Sequence, residues 1–147
     1  QVIEALYAAS TAGVQIDLIV RGMCALRPQV AGLSDNIRVR SIIGRLLEHS
    51  RVFYFYNDGK EDVFISSADW MGRNFFSRIE IATPIEHPEL KQRVITEGLI
   101  FALQDNIKAW QMNGDGSYTR ITPTEGEAEM GLQETLLTQY ALNVQAA

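Results

Sequence analysis

The sequence predicts an α/β fold in which a mixed β-sheet is flanked by helices. A segment with helical periodicity, a glycine and an apolar run follow one another within the first twenty residues, which is half of an α/β unit. Further along, two turns rich in Asn, Asp and Gly, at 57–60 and 113–116, each separate a pair of strand-like runs. Because such turns join antiparallel strands, whereas an α/β unit favours parallel pairing, we expect both strand directions in the sheet.

The composition indicates one soluble domain over residues 1–147 without an internal disulfide framework, because Cys24 is the single cysteine. One cysteine also fits a reducing cytosol. The formal net charge of −5 disfavours a protein that nucleic acid holds by overall charge, so any anion must be bound locally. With no signal peptide and no run of about eighteen apolar residues, we expect a cytoplasmic location.

The beginning of the chain is predicted as a helix followed by a strand. Residues 2–12 show an amphipathic repeat that ends at Gly13, and the absence of a starting methionine suggests part of a longer protein. Residues 14–20 follow as a strand whose last three residues are apolar, which is typical of a central strand covered on both faces. Arg21 and Gly22 then lie at its carboxyl end, where open α/β sheets place their ligand crevice.

The middle of the chain is predicted as a loop, a strand and a hairpin. The segments are a loop at 23–36, a strand at 37–43, a short connection at 44–48, and two strands at 49–56 and 62–67. The connection delivers His49 to the start of the first hairpin strand.

The last part is predicted to add one strand, one hairpin and two helices. The segments are an ordered loop or short helix at 68–77, a strand at 78–82 ended by Pro84, a helix from Pro88 to about Gln104, a hairpin of 107–112 with 118–121, and a final helix at about 127–142. Pro88 suits the first turn of a helix, and the residues expected on or near the buried face of that helix are Leu90, Val94, Ile95, Leu99 and Leu103.

His49 is the first candidate site residue. A histidine at the start of a strand is more often structural than catalytic, but Arg51 follows two positions later and is expected on the same face of the strand. A guanidinium matches two phosphate oxygens with a fork of donors, and an imidazole titrates near neutral pH. The pair therefore suggests phosphate chemistry, with His49 able to give or take a proton.

Arg21 is the second candidate, although an arginine that leaves a strand is as often a surface residue with its stem packed over apolar groups. Gly22 beside it allows a ligand to approach closely. Arginines are concentrated in the half of the chain that carries His49, in a protein that is acidic overall, and this favours anion recognition. The other arginines in this half considered for that role are Arg38, Arg40, Arg45, Arg51, Arg73 and Arg78.

The third candidate is the run Ser66-Ser67-Ala68-Asp69, where hydroxyls and backbone amides could face an anion beside His49. The structural alternative is that the serines cap the following turn. Cys24 and the aromatic residues Phe53, Tyr54, Phe55 and Trp70 are assigned to packing, and His87 to the start of a helix. No Cys or Asp cluster accompanies either histidine, so a structural zinc is not expected.

These motifs resemble the phospholipase D superfamily signature, His-x-Lys followed by a Gly-Ser-x-Asn-like turn. The match departs at three positions: Arg51 replaces the lysine, Tyr56 stands where an aspartate is usual, and Asp69 replaces the asparagine. Phospholipase D-like sites combine two such halves, and this chain has one.

A more extensive resemblance covers nearly the whole chain. Residues 18–24, 34–38, 47–51 and 66–74 are similar, in the same order, to motifs of the C-terminal domain of the bacterial polyphosphate kinase that makes long polyphosphate from ATP. The resemblance implies a phospholipase D-like half that is the last domain of a longer enzyme. The implied activity is transfer of the terminal phosphate of ATP to polyphosphate through a phosphohistidine, a transferase and kinase reaction that also runs in reverse.

The resemblance also implies roles for individual residues. Arg21 and His49 are expected to contact the phosphates of ATP, with His49 as an assisting acid or base rather than the phosphorylated histidine. The phosphorylated histidine and the Mg²⁺-binding residues belong to the preceding domain, so this domain is expected to bind no metal and the isolated fragment to be inactive. Arg51, Ser66, Ser67 and Asp69 form a second tier of site candidates.

The implied partners are ATP, ADP, polyphosphate and the preceding domains of the same chain, with no nucleic acid. The full-length enzyme is expected to be a homo-oligomer in the cytoplasm, with membrane association left open. Two alternatives remain: a phospholipase D-like phosphodiesterase half-domain with His49 as nucleophile, and a non-catalytic anion-binding or assembly module.

Overall fold

A computed structural model describes the backbone of residues 1–145 and the side chains of residues 1–141. The helices and strands in chain order are α1 (Val2–Thr11), β1 (Ile16–Ile19), β2 (Ile37–Ile42), β3 (Val52–Phe55), β4 (Asp62–Ser66), α2 (Gly72–Phe76), β5 (Ala82–Pro84), α3 (Pro88–Ile95), α4 (Phe101–Gln104), β6 (Ala109–Met112), β7 (Tyr118–Arg120) and α5 (Leu132–Gln145). The α/β class with helices flanking mixed strands is confirmed, but the strands form two sheets and not one.

The chain divides into two compact units. The first contains Gln1–Glu48 and the part of the chain from Ala102 onward, and the second contains His49–Phe101. The single domain expected over 1–147 stays a prediction.

The first unit contains a four-stranded sheet in the order β1-β2-β6-β7. The pair β1–β2 is parallel and the other two pairs are antiparallel, so the expected mixture of strand directions is present. The core lies at β2, where Ile37 and Val39 are fully buried with Leu26 and Met112. Half-buried side chains of α1 and β1, among them Leu6 and Leu18, pack against these four residues.

The prediction that the first strand is central was wrong. β1 pairs only with β2 and is therefore an edge strand, and its four residues are exposed or half-buried. Its apolar run arises because Ile16 and Leu18 face the core that α1 covers, while Asp17 is exposed and forms an ion pair with Arg38 on β2 at 2.9 Å. The helix before it ends as expected, because Gly13 adopts a φ of 92°.

The second unit contains an antiparallel sheet in the order β3-β4-β5. The predicted hairpin is confirmed by pairing of Val52 with Ile65 and of Phe55 with Asp62. Its turn contains three consecutive positive φ values, at 57–59. The strand begins at Val52, however, so the prediction that His49 and Arg51 lie on a strand was wrong.

The next strand was also misplaced by the sequence. The sequence predicted a strand at 78–82 ended by Pro84. Residues 78–81 instead lie outside any strand, and β5 comprises Ala82–Pro84. Pro84 pairs with Phe64, which is tolerated because β5 is an edge strand whose outer side needs no N–H donor. Short helix α2 falls within the segment where a loop or short helix was expected.

The predicted helix from Pro88 to Gln104 is confirmed in its bounds, as α3, a π-helical turn at Thr96–Ile100, and α4. His87 is the N-cap residue of α3, as expected. Leu90 is 51% exposed, so its placement on the buried face was wrong, whereas Val94, Ile95, Leu99 and Leu103 are half-buried. Gly98 lies in the π-helical turn, where an added Cβ would meet Val52 Cγ2 at 3.1 Å.

The last hairpin, β6–β7, is confirmed, whereas α5 begins five residues later than predicted. The segment before α5 is held in a turn by Glu127, whose carboxylate accepts hydrogen bonds from the Thr124 backbone N–H and hydroxyl. Asn106 adds bonds to Glu127 and to the backbone of Ala128 and Met130. These side-chain bonds to the backbone compete with helix formation.

Candidate functional site

Arg21 comes two residues after β1 and is half-buried in the first unit. Its Nη1 donates a hydrogen bond of 2.9 Å to the backbone carbonyl of Glu48. Arg21 thus lies at the carboxyl end of β1, on an anchored side chain.

Arg21 also lines an open cavity of about 860 Å³ within the first unit. Most of the lining is apolar or aromatic, including Trp110, Met112 and Tyr118. Burial raises the pKa of Tyr118, so its hydroxyl stays protonated at neutral pH. Cys24 lines the same cavity and packs against the core, as expected.

Arg51 and Asp69 form an ion pair in the second unit. Arg51 Nε lies 3.0 Å from Asp69 Oδ1, and the two side chains are 20% and 32% exposed. The hydrogen bond to Asp69 is the largest cause that raises the pKa of Arg51, so the guanidinium stays charged. Arg51 is therefore neutralised by a carboxylate, which reduces its attraction for a second anion.

His49 lies beside this pair on the segment before β3, and its side chain is exposed. Arg51 Nη1 is 3.4 Å from His49 Nδ1 and 3.5 Å from the carbonyl of His49. Because arginine has donors only, a hydrogen bond between these side chains requires Nδ1 to be the acceptor. In the tautomer in which Nδ1 accepts this hydrogen bond, Nε2 carries the proton and is a donor.

Ser66 and Ser67 both have local partners. The Ser66 hydroxyl accepts the Ala68 backbone N–H at 3.1 Å. The Ser67 hydroxyl donates to Glu80 at 2.5 Å and accepts the Ile81 N–H at 3.0 Å. These contacts are the turn-capping alternative, and a role for either serine beside an anion stays a prediction.

Asn74 is a residue near this cluster that the sequence did not single out. It lies on α2, is 5% exposed, and donates from Nδ2 to the Asp69 carbonyl at 2.8 Å. Within the described part of the chain its Oδ1 has no hydrogen-bond partner. Asn74 thus holds the backbone of the residue that pairs with Arg51. Its signal in the sequence was only its place at the end of the 66–74 motif.

Several aromatic residues assigned to packing contact one another in the second unit. The Phe53 and Trp70 rings are 5.2 Å apart between centroids, and those of Phe55 and Phe64 are 6.4 Å apart. Tyr54 instead donates its hydroxyl to Glu61 at 2.8 Å, and that hydrogen bond is the largest cause that raises the pKa of Tyr54.

Two of the arginines considered for anion recognition have partners within the first unit. Arg38 forms an ion pair with Asp17. Arg40 donates to the carbonyls of Ala102 and Leu103 at 3.2 and 2.5 Å, at the end of α4. Burial is the main cause that lowers the pKa of Arg40.

Among residues 1–145, no group of three or more His, Cys, Asp or Glu side chains is placed to hold a metal ion. Within the same residues, no helix has the length and hydropathy needed to cross a bilayer.

The sequence matches the family described as polyphosphate kinase C-terminal domain 2 over residues 1–133. A polyphosphate kinase of Neisseria meningitidis serogroup B is 71% identical over 137 residues, which are 93% of this chain and 20% of that protein. A polyphosphate kinase of Paraburkholderia phytofirmans is 58% identical over 139 residues, 95% of this chain and 20% of that protein.

A solved structure also resembles the chain. The crystal structure of polyphosphate kinase from Porphyromonas gingivalis matches with a TM-score of 0.91 and 42% identity, over 99% of this chain and 22% of that chain. The chain spans about a fifth of the length of these relatives.

Proposed function

The chain belongs to the polyphosphate kinase C-terminal domain family, and from this premise we propose that it is a catalytic domain of a longer ATP:polyphosphate phosphotransferase. In the proposed reaction a histidine nitrogen of the preceding domain attacks the γ-phosphorus of ATP, the bond from Pγ to the β–γ bridging oxygen breaks, and ADP leaves. The phosphoryl group then moves from nitrogen to the terminal oxygen of polyphosphate. This domain supplies binding and proton-handling groups to both steps.

The contact between Arg51 and His49 Nδ1 is the observation that carries the role of His49. A nucleophilic imidazole needs a lone pair on the attacking nitrogen. With Nδ1 accepting from Arg51 and Nε2 protonated, the exposed nitrogen carries a proton instead of a lone pair. His49 is thereby suited to donate a hydrogen bond or a proton to a phosphate oxygen, and not to attack phosphorus.

Arg21 is proposed to hold a phosphate of ATP. Phosphoryl transfer depends mainly on positioning and on neutralising charge over the phosphoryl oxygens. The hydrogen bond from Nη1 to the Glu48 carbonyl holds the guanidinium in direction. Arg51 and Asp69 serve in this proposal as supports of His49, while Ser66 and Ser67 close the turn behind them.

The partners of the full-length enzyme are part of the same proposal. ATP, ADP and polyphosphate are the ligands, the preceding domains supply the nucleophile and the residues for Mg²⁺, and the enzyme acts in the cytoplasm as a homo-oligomer. The ion neutralises phosphate charge when it is bound.

A trapping experiment tests the assignment of His49. The full-length enzyme is incubated with γ-labelled ATP, quenched at alkaline pH and digested, and the labelled peptide is identified by mass spectrometry. We expect label on a histidine outside this 147-residue chain. Label on His49 would favour the phosphodiesterase-like alternative and contradict the assisting role.

Substitution separates the kinase from a non-catalytic module. His49→Ala should lower polyphosphate synthesis by about 10²–10⁴-fold, the usual contribution of a general acid. His87→Ala is the matched control, since His87 caps α3. Equal, near-complete activity in both variants would instead support an anion-binding or assembly module, and synthesis by the isolated chain would contradict the need for a nucleophile from elsewhere.

A further inference from the structure

We propose that Gln133 and Glu48 are positioning residues for Arg21 in nucleotide binding. The sequence did not single out Gln133 and included Glu48 only as part of the 47–51 motif, and both lie in the first unit with Arg21. The inference rests on the proposed function, because it assigns to these residues the task of fixing the arginine that meets a phosphate of ATP.

Gln133 holds the backbone that precedes His49. It lies in the first turn of α5 and is 7% exposed. Its Oε1 accepts the Leu46 N–H at 2.9 Å and its Nε2 donates to the Leu46 carbonyl at 2.7 Å. The side chain thus bonds the N–H and the carbonyl of Leu46, as a paired strand would, and holds residues 44–48 in place.

Glu48 receives the third bond of Gln133. Gln133 Nε2 lies 2.5 Å from Glu48 Oε1, while the backbone carbonyl of Glu48 accepts Arg21 Nη1 at 2.9 Å. The side chain of Glu48 is therefore tied to α5 and its carbonyl to Arg21. Displacement of this residue changes where the guanidinium points.

The start of α5 is itself fixed by a buried carboxylate. Asp105, 1% exposed, accepts the Leu132 N–H at 2.8 Å on Oδ2. Its Oδ1 accepts three further backbone N–H groups, from residues 107–109. Asp105 therefore anchors Leu132, the residue before Gln133. Gln133 in turn bonds Glu48, and the Glu48 carbonyl bonds Arg21.

Gly44 provides the space that this arrangement needs. A Cβ on Gly44 would lie 2.4 Å from Gln133 Oε1 and 2.6 Å from Gln133 Cδ. The amide cannot move aside without loss of its three hydrogen bonds. The missing side chain at Gly44 thus leaves the space that the Gln133 amide occupies, although the two residues are far apart in sequence.

A double-mutant cycle in the full-length enzyme tests the proposal. Gln133→Leu keeps most of the volume and removes the three bonds, Arg21→Ala removes the guanidinium, and binding of a non-hydrolysable ATP analogue is measured by calorimetry. We expect Gln133→Leu to weaken binding about tenfold with Arg21 present and less than about twofold in the Arg21→Ala background. Gln139→Leu, at an exposed position of the same helix, is the control and should leave binding unchanged.

Equal effects of Gln133→Leu in both backgrounds would overturn the proposal, because a general loss of structure does not depend on Arg21. If Gln133→Leu fails to fold, a pair of Glu48 variants decides the same question. Glu48→Gln keeps an oxygen acceptor for Gln133 and should bind the analogue as the unmodified enzyme does, whereas Glu48→Leu should bind about tenfold more weakly. Equal binding by both Glu48 variants would also overturn it.

These outcomes are separable from failure of the proposed function. An unmodified full-length enzyme that makes no polyphosphate from ATP contradicts the function itself. An active enzyme whose Gln133 and Arg21 effects are additive contradicts only the positioning role.

Discussion

Removal of the Asp105 carboxylate should loosen the support of the candidate site at a defined place. The carboxylate accepts four backbone N–H groups, at 2.7 Å from Lys108, 2.8 Å from Leu132 and 3.1 Å from Ile107 and Ala109. Asp105→Ala leaves all four donors without this acceptor, in a region where Ala109 and Leu132 are buried.

The size of the effect follows from these bonds. Hydrogen bonds to a charged group contribute about 1.5–3 kcal/mol each, and a buried donor left without a partner costs about 1–3 kcal/mol. The four bonds share one carboxylate and are not additive, so we take about 3 kcal/mol as the local cost. That corresponds to an increase on the order of a hundredfold in the opening equilibrium of this region, at 1.4 kcal/mol per tenfold.

Hydrogen exchange of the full-length enzyme, followed by mass spectrometry, measures this opening directly. Peptides that contain residues 107–109 and the start of α5 should exchange on the order of a hundredfold faster in Asp105→Ala. Asp115→Ala is the control, because Asp115 is exposed and its carboxylate accepts from the backbone N–H and hydroxyl of the nearby Ser117. Acceleration below about threefold at both peptides would refute the view that Asp105 anchors α5.

Three further predictions concern the site and its supports. Arg21→Lys in the full-length enzyme should raise the KM for ATP roughly tenfold, because an ammonium lacks the planar fork with which a guanidinium can bond the Glu48 carbonyl and a phosphate together. An unchanged KM in steady-state assays would remove Arg21 from the site. Gly44→Ala should raise hydrogen exchange at residues 45–48, since its Cβ would lie 2.4 Å from Gln133 Oε1. Gly116→Ala is the control, because no atom lies within 4 Å of the added carbon and the variant tests only the cost of a positive φ. The pKa of Glu127 is lowered from 4.5 chiefly by the Thr124 N–H and next by Asn106. The ionised carboxylate should therefore protect the 122–131 turn from hydrogen exchange above its ordinary pKa, and this protection should be lost as the pH falls through the lower pKa of the folded state. In Glu127→Gln the additional loss on acidification should be absent, and a loss equal to that of the unmodified chain would contradict this assignment.

The fold was predictable where local chemistry decided the structure. The turns at 57–60 and 113–116 and the helix from Pro88 to Gln104 were found because glycine, aspartate and proline signals are local. The edge position of β1 was missed because an apolar run does not tell how many neighbours a strand has. The start of α5 was missed because Asn106, distant in sequence, holds residues 127–130 out of the helix.

The sequence proposed residues for the candidate site, but it did not predict the contacts that the structure gives them. His49 and Arg51 were expected to meet through strand alternation, yet they meet on a segment without regular structure through a hydrogen bond between their side chains. The support of Arg21 by Gln133 could not be foreseen, because no periodic pattern connects positions 112 residues apart. Only the folded backbone brings α5 to the residues before His49.

The Arg51–Asp69 pair explains two departures from the phospholipase D-like signature together. A lysine with an asparagine carries one positive charge, whereas an arginine with an aspartate carries none. Arg51 uses Nε on Asp69 and Nη1 on His49, which a single ammonium on a flexible stem would not do with the same fixed directions. The exchange therefore removes net charge beside His49, and the Arg51 guanidinium offers a donor to His49 Nδ1 at 3.4 Å.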